Sequence, residues 1–233
     1  MNILVTGSSG GIGRAVCERF LSLGHTVYGL DLAPAALTHP QYRHFQTDIR
    51  ESSALPELPA VGVLFNNAGA QNSGDDIGHN LRGTINVTEK YIRDNPSLRS
   101  VLFNASASAV SGQEFPEYAA SKAGLLGYMK NVAIRVAPRG ATCNALSLGG
   151  VYTPLNDPVV NDPESWRQIM DVTPLKKWMT AEEVADWVVF LTLTNRSMSG
   201  QNLLIDNGEH DLIPTFVWPK TDGDPLNRKE TKP

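Results

Sequence analysis

The chain has 233 residues, of which 41% are hydrophobic, and its net charge is −4. This length supports one substantial hydrophobic core, while the acidic balance disfavours nucleic acid and no apolar run is long enough for a membrane span. Because the chain starts directly with a strand pattern instead of a signal peptide, and Cys17 and Cys143 form no disulfide framework, we expect a cytoplasmic protein with reduced, buried cysteines.

The first element is a strand, a glycine-rich turn and a helix in direct succession. The apolar run 3–5 leads into Gly7, Gly11 and Gly13, and apolar residues at helical spacing follow from Arg14. Glycines let a pyrophosphate approach the backbone, and the start of the helix offers free N–H groups. Because both the strand and the helix are present around the turn, the pattern predicts a dinucleotide-binding site instead of a purely structural turn.

The second predicted strand, 25–31, ends at Asp31. A carboxylate at this position can accept hydrogen bonds from the adenosine ribose hydroxyls and repels a 2′-phosphate. No arginine or lysine stands beside Asp31 or in the glycine loop. The sequence therefore predicts NAD in preference to NADP. Asp48, at the end of the third predicted strand, is a candidate partner for the adenine amino group.

The remaining elements alternate between strands and helices. Further strands are predicted at 42–49, 61–65, 100–104, 141–148 and 201–206, and further helices at 81–93, 117–137 and 180–192. The last of these helices is expected to begin with a Thr-x-x-Glu capping box at Thr180 and Glu183. About a dozen residues, interrupted by Pro56 and Pro59, separate the third and fourth strands, so we expect no more than one helical turn there. The alternation predicts a single α/β domain with a doubly wound parallel sheet in a three-layer α/β/α arrangement.

Tyr118 and Lys122 are four residues apart near the start of the long predicted helix and therefore share one face. A phenol normally has a pKa near 10, too high for a base at neutral pH. A neighbouring ammonium group, together with a positively charged nicotinamide ring, would lower the pKa of the phenol. Such a tyrosine can exchange a proton with an alcohol or a ketone.

Two serines and one asparagine are further candidates. Ser106 and Ser108 both follow the fifth strand, where ligands bind to parallel sheets, and either hydroxyl can orient a substrate oxygen. Asn80 precedes the helix predicted from Leu81. Its amide either caps that helix or holds a water in a proton path behind Lys122.

The segment after the sixth strand is predicted to complete the pocket. Gly149, the Val151 backbone and the Thr153 hydroxyl are candidates for contact with the nicotinamide. Residues 153–178 are apolar enough for a substrate lid with one or two helices, which hints at a ring or acyl chain as substrate. Residues 209–233 form a tail whose apolar first half is expected to dock at the pocket mouth, in its own or a neighbouring subunit, and whose charged, proline-rich end is expected to be mobile.

Taken together, the motifs resemble the short-chain dehydrogenase/reductase family over residues 1–208. The matching motifs are Thr6-Gly7-x-x-x-Gly11-Ile12-Gly13, Asn66-Asn-Ala-Gly69, Asn80, Ser106 and Tyr118-Ala-Ala-Ser-Lys122. The resemblance implies a Rossmann-type NAD-binding domain and a tetrad of Ser106, Tyr118, Lys122 and Asn80. It also implies a homodimer or homotetramer, with the helices near Leu81 and Tyr118 in one interface.

The predicted function is an NAD-dependent oxidoreductase that interconverts a secondary alcohol and a ketone, acting on a small molecule without a metal ion, a membrane or nucleic acid as partner. The predicted cofactor-binding residues are Gly7, Ser9, Gly11, Ile12, Gly13, Asp31, Leu32, Asp48, Ile49, Asn66, Ala68, Gly69, Tyr118, Lys122, Gly149, Val151 and Thr153. The predicted substrate-binding residues are Ser106, Ser108, Gln113, Tyr118 and Tyr152. Alternatives are a non-catalytic NAD-binding or scaffold protein, and a lyase or epimerase on the same fold.

Overall fold

The computed structural model describes residues 1–210 and residue 212. A seven-stranded parallel sheet has the order β3-β2-β1-β4-β5-β6-β7. Its strands are β1 (Asn2–Thr6), β2 (Thr26–Asp31), β3 (Tyr42–Gln46), β4 (Val63–Asn66), β5 (Ser100–Asn104), β6 (Thr142–Leu148) and β7 (Asn202–Ile205). The helices are α1 (Gly11–Ser22), α2 (Gly83–Ile92), α3 (Ser108–Ser111), α4 (Pro116–Val136), α5 (Asp157–Val160), α6 (Pro163–Val172) and α7 (Ala181–Val189).

Helices cover both faces of the sheet, as the alternating pattern predicts. Successive side chains of a strand point to opposite faces, so Leu4 joins the core beneath α2 and α4, whereas Ile3 and Val5 join the core beneath α1 and α7. All seven residues of β6 are buried. Strands buried on both faces explain the nearly continuous apolar runs in the sequence.

The chain reverses its direction of winding between β1 and β4, which are neighbours at the centre of the sheet. In such sheets the crevice for ligands lies beyond the carboxyl ends of the strands at this reversal. The glycine loop follows β1, and the segment Asn67–Gly69 follows β4, so both predicted motifs lie at the same sheet edge.

Two local predictions about helices are confirmed. A 3-10 turn at Ser52–Ala54 is the one helical feature between β3 and β4. Thr180 and Glu183 form the expected capping box at the start of α7.

The predicted start of the helix near Leu81 is wrong. A π-helical segment, Ile77–Arg82, precedes α2 without a break, so Asn80 lies inside the helix and does not cap it. Glycines at 78 and 83 weaken the helical pattern in the sequence, which hides this earlier start. The one-turn helix α3 was also not predicted.

Among the residues that the structure describes, no helix has the length and apolar character required to traverse a bilayer.

Candidate functional site

A cavity of about 850 Å³ opens at the carboxyl edge of the sheet, within the size range of ligand pockets. Its wall includes residues that follow β1, β2, β4, β5 and β6, together with residues from α4 and from the segment after β7. Most predicted site residues line it, namely Gly7, Ser9, Gly11, Ile12, Asp31, Leu32, Asp48, Ile49, Ala68, Gly69, Ser106, Gln113, Tyr118, Lys122, Gly149, Val151 and Thr153.

Gly13, Asn66, Asn80, Ser108 and Tyr152 were also predicted but do not line this cavity. Asn66 is buried, and its Nδ2 donates to the Thr88 hydroxyl at 3.0 Å. Its neighbour Asn67, which was not predicted, lines the cavity instead.

The glycine loop forms a cradle of bare backbone, because side chains at Gly7, Gly11 and Gly13 would clash with neighbouring atoms. Gly7 has φ +67°, and a Cβ there would lie 2.9 Å from the Ala68 Cα. A Cβ on Gly13 would overlap the Gly7 carbonyl oxygen, and one on Gly11 would lie 2.9 Å from Thr153 Cγ2. The loop therefore brings bare backbone to the wall of the cavity at the start of α1, which fits a pyrophosphate.

Thr6 links the glycine loop to the segment after β4. Its Oγ1 accepts hydrogen bonds from the backbone N–H groups of Asn67 and Ala68, each at 2.9 Å. Asn67 Nδ2 in turn donates to the carbonyl oxygens of Thr6 and Gly7, at 3.1 and 3.2 Å. These bonds fix two strand ends against each other and define the floor of the cavity.

The Asp31 carboxylate is held at the edge of the cavity by two backbone donors. Ser9 N donates to Oδ2 and Ala33 N to Oδ1, each at 2.9 Å. Each oxygen keeps acceptor capacity for another donor, such as a ribose hydroxyl. Lys122, near the opposite end, is the one lysine or arginine among the lining residues that the structure describes.

Asp48 lines the same end of the cavity and is paired with Arg50. Arg50 Nη2 donates to Asp48 Oδ2 at 2.7 Å, and Arg50 Nε contacts both carboxylate oxygens. The hydrogen bonds from Arg50 lower the pKa of Asp48, so this carboxylate stays charged.

Tyr118 and Lys122 lie together on α4, as their spacing predicts. Lys122 Nζ is 5.6 Å from the centre of the Tyr118 ring and donates to the Asn104 carbonyl oxygen at 2.9 Å. Burial raises the pKa of Tyr118 to about 12, against a lowering contribution from the Ser106 hydroxyl and a further rise from the charges of Glu114 and Asp76.

In the protein alone, burial therefore outweighs any lowering of the Tyr118 pKa by Lys122, and the predicted lowering, which includes the charge of a nicotinamide ring, stays a prediction. Burial lowers the pKa of Lys122 to about 8, although Glu114 and Asp76 oppose this. Both displacements have the same cause, because burial disfavours the charged form of each group.

Asn80 lies behind this pair with its side chain fully buried. Its Oδ1 accepts from Ala70 N at 2.7 Å, and its Nδ2 donates to the Ala70 carbonyl oxygen and to Ser121 Oγ, each at 2.9 Å. A Cβ on Gly69 would lie 2.8 Å from Asn80 Oδ1 and 3.4 Å from Lys122 Nζ. The backbone at Gly69 thus lies between the Asn80 amide and the Lys122 amino group.

The two candidate serines have different positions. Ser106 lines the cavity beside Tyr118, whereas Ser108 lies in α3 and is buried outside the cavity wall. The Ser108 hydroxyl donates to Ser106 Oγ at 2.9 Å, and Ser108 N donates to the same oxygen at 3.2 Å. Ser108 therefore orients Ser106, and Ser106 is the one of the two serines that faces the cavity.

The predicted lid contains the helices α5 and α6 and a cluster of three aromatic rings. The ring centres of Tyr152, Trp166 and Trp178 lie 5.2 to 6.2 Å apart. Tyr152 borders a small separate depression, whereas Trp178 lines the main cavity. A Cβ on Gly150 would overlap the Trp178 indole, so the glycine lets this ring pack directly against the backbone after β6.

Several lining residues were missed, among them Asn104, Glu114, Glu209 and His210. Asn104 ends β5 at the same edge of the sheet as Ser106, so its position in the sequence could have identified it as a lining residue. Glu209 and His210 belong to the tail that was expected to dock at the pocket mouth. The rest of that expectation, from residue 213 onward, lies outside the described residues.

Comparisons with known proteins agree with this architecture. A family model described as enoyl-(acyl carrier protein) reductase matches residues 61–210. A short chain dehydrogenase of Penicillium roqueforti is 30% identical, over 88% of this chain and 95% of that protein. The 2-(R)-hydroxypropyl-CoM dehydrogenase of Xanthobacter autotrophicus is 28% identical, over 90% of this chain and 98% of that protein.

Among solved structures, an oxidoreductase of the short chain dehydrogenase/reductase family from Burkholderia thailandensis has a TM-score of 0.80 and 29% identity, over 89% of this chain and 91% of that chain. The ligand-free aldohexose dehydrogenase of Thermoplasma acidophilum also has a TM-score of 0.80, with 26% identity over 93% of this chain and 96% of that chain.

Proposed function

The chain belongs to the short-chain dehydrogenase/reductase family, and from this premise we propose that it is an oxidoreductase that interconverts a secondary alcohol and a ketone with a nicotinamide cofactor, preferentially NAD. The proposal depends chiefly on one observation, namely that a single cavity is continuous. It connects the glycine cradle at Gly7 and Gly11 with the side chains of Ser106, Tyr118 and Lys122. A dinucleotide in the cradle would extend toward the tyrosine, where a substrate oxygen has room.

We assign the cofactor contacts to the bare backbone of the glycine loop, to Asp31 at the adenosine ribose and to Gly149, Val151 and Thr153 at the nicotinamide. When bound, the nicotinamide supplies or accepts the hydride. The Asp31 carboxylate supports NAD, since it would repel a 2′-phosphate and no lining lysine or arginine of the described chain lies beside it to compensate.

Ser106 and Tyr118 hold the substrate oxygen between their hydroxyl groups. Because the pKa of Tyr118 is about 12 in the protein alone, its hydroxyl is protonated at neutral pH and can donate its proton to the oxygen of a ketone. Proton transfer in the other direction requires a nearby positive charge that stabilises the phenolate, and Lys122 lies close enough to contribute one. Asn80 is a positioning residue that fixes the backbone at Ala70 behind Lys122.

Replacement of the phenol tests this assignment. We expect Tyr118→Phe to reduce turnover of alcohols and ketones by about 10²- to 10⁴-fold, the usual contribution of a general acid or base, while NAD affinity changes little. A panel of alcohols and ketones, followed by NADH absorbance, gives turnover, and calorimetric titration gives NAD affinity.

Tyr128→Phe is the matched control, because Tyr128 lies on the same helix and donates to Glu89 outside the cavity. Unchanged turnover in Tyr118→Phe refutes the assignment. Tight NAD binding by the native protein with no turnover of any panel member would favour a cofactor-sensing protein.

Replacement of Asp31 tests the cofactor preference. We expect Asp31→Asn to lower kcat/KM for NAD about tenfold and to raise it for NADP, because a charge-assisted hydrogen bond is lost and the repulsion of the 2′-phosphate disappears. Asp94→Asn, at an exposed position with φ +48° that asparagine tolerates, is the control. An unaltered NAD to NADP ratio in Asp31→Asn would contradict the proposed contact.

A further inference from the structure

His79 lines the same cavity as Asp48 and Ile49 and lies beside them. It stands four residues before Gly83, so the two share one face of the helix that the π-helical segment and α2 form together. A Cβ on Gly83 would lie 2.6 Å from Ile49 Cγ1, so this face packs on the segment after β3. The hydrogen bonds from Arg50 lower the pKa of Asp48 most, and a charge on His79 is near enough to lower it further. The imidazole therefore lies next to the segment where the sequence places the adenine.

Hydrogen bonds fix the orientation of the His79 ring. Nδ1 lies 2.9 Å from the Asp75 carbonyl oxygen, which can only accept, so Nδ1 carries a proton. The Ser73 hydroxyl lies 3.2 Å from the same nitrogen and donates its own proton to Asp76 Oδ1 at 2.6 Å. In the neutral imidazole the second nitrogen, Nε2, is therefore a hydrogen-bond acceptor.

The acceptor at His79 Nε2 is accessible. Its residue is half-buried, and Nε2 has no hydrogen-bond partner among the described residues. It is also absent from the buried polar atoms of the described chain that lack a partner, so some of its surface is open. Because Nδ1 is turned to the Asp75 backbone, the edge of the ring that carries Nε2 is the part that can meet a donor on a ligand.

Asp48, the carboxylate predicted to bind the adenine amino group, has its acceptor sites filled by Arg50. Its Oδ1 accepts from Arg50 N at 2.9 Å and from Arg50 Nε at 3.1 Å. Its Oδ2 accepts from Arg50 Nε at 3.0 Å and from Arg50 Nη2 at 2.7 Å. A carboxylate has about four lone-pair sites, so a further donor would have to displace one of these bonds.

Arg50 connects Asp48 to the turn that orients His79. Its Nη1 donates to Asp75 Oδ2 at 3.1 Å, and the carbonyl oxygen of the same Asp75 accepts from His79 Nδ1. Asp48 thus holds the histidine in place through Arg50 and Asp75, while its own oxygens are engaged.

We propose that His79 recognises the adenine base of the cofactor, with Nε2 accepting a hydrogen bond from the 6-amino group, and that Asp48 acts only as a positioning residue. The inference rests on the proposed binding of a nicotinamide dinucleotide, and it makes His79 the residue that determines specificity for the base. A purine without the amino group offers no donor to Nε2 at this position.

The test compares NAD with the purine analogue, in which a hydrogen atom replaces the 6-amino group of the adenine. Calorimetric titration gives the affinity for each dinucleotide without a substrate. We expect the native protein to bind NAD about 2- to 12-fold more tightly than the purine analogue, the range for a hydrogen bond between neutral groups. With any alcohol or ketone that is turned over, the same ratio should appear in KM for the dinucleotide, with kcat unaltered.

Two amide variants distinguish the nitrogens of His79. The shorter amide of His79→Asn reaches only the position of Nδ1, so it can still donate to the Asp75 carbonyl oxygen, and the preference for NAD should disappear. The longer amide of His79→Gln can present its oxygen at the position of Nε2 and should keep most of the preference. His39→Asn, at an exposed position outside the cavity, is the control and should keep all of it.

Asp48→Asn tests the rival contact. This variant should weaken the binding of both dinucleotides alike, because Arg50 loses a charged partner, and so leave the preference for NAD unaltered. A preference that is lost in Asp48→Asn but kept in His79→Asn assigns the amino group to Asp48 and overturns the inference.

Equal affinities of the native protein for NAD and the purine analogue also overturn the inference, but they leave the oxidoreductase proposal standing. Losses of equal size in His79→Asn and His79→Gln do the same, since they show that the packing of the ring matters and its acceptor does not. If the native protein binds neither dinucleotide, the inference and the proposed function fail together.

Discussion

At the scale of single residues, the same burial that brings Tyr118 and Lys122 together displaces their pKa values in opposite directions. The pKa of the phenol rises to about 12, and that of the ammonium group falls to about 8. Spacing in the sequence predicts that the two side chains share a helix face. It does not predict the sign of the effect on Tyr118, since desolvation depends on everything packed around the pair.

The lowered pKa of Lys122 makes stability depend on pH. Between about pH 8 and pH 10.5 the unfolded chain binds more protons at this lysine than the folded protein does, so the free energy of unfolding rises with pH across this window. Relative to Lys122→Met, we expect the native protein to gain on the order of 2 kcal/mol between about pH 7.5 and pH 9.5.

Denaturant unfolding at both pH values, without added cofactor, measures this gain. Lys130→Met, an exposed lysine on the same helix, is the control and should show no such gain. A free-energy difference between the native protein and Lys122→Met that does not vary with pH would contradict the burial of a charged lysine.

At the scale of elements, local signals in the sequence locate most strands and helices, and non-local contacts decide their ends. The capping box at Thr180 and Glu183 marks the start of α7 because both of its hydrogen bonds join residues three apart. The π-helical segment Ile77–Arg82 carries no comparable signal, and the Asn80 side chain is fixed there by Ala70 and Ser121. Asn80 was therefore predicted to precede the helix, whereas it lies inside it.

The capping box contributes to the stability of α7, which packs against α1. We expect Thr180→Ala to lower the free energy of unfolding by about 0.5 to 2 kcal/mol, because the N–H of Glu183 loses its acceptor. Thr180→Ser keeps a hydroxyl at the same position and should lower it much less. Equal losses for the two variants in thermal or denaturant unfolding would show that the methyl group matters and the hydroxyl does not.

At the scale of the whole molecule, one parallel sheet gathers segments that are far apart in sequence at a single edge. Its central strands β1 and β4 carry the cradle, β5 carries Ser106, and the turn after β7 carries Glu209. The dimer or tetramer implied by the family resemblance stays a prediction. Ile134 is 75% exposed on α4, one of the helices expected to form the interface.

The sequence by itself determined the order of the elements, the glycine cradle and the pairing of Tyr118 with Lys122. These features depend on periodicity and on spacings of a few residues, which local physics controls. Only the tertiary structure decided which serine faces the cavity, whether the pKa of Tyr118 rises or falls, and that Glu209 and Trp178 line the same wall. Each of these depends on burial and on contacts between distant segments, because a side chain's solvation is set by all the elements that surround it.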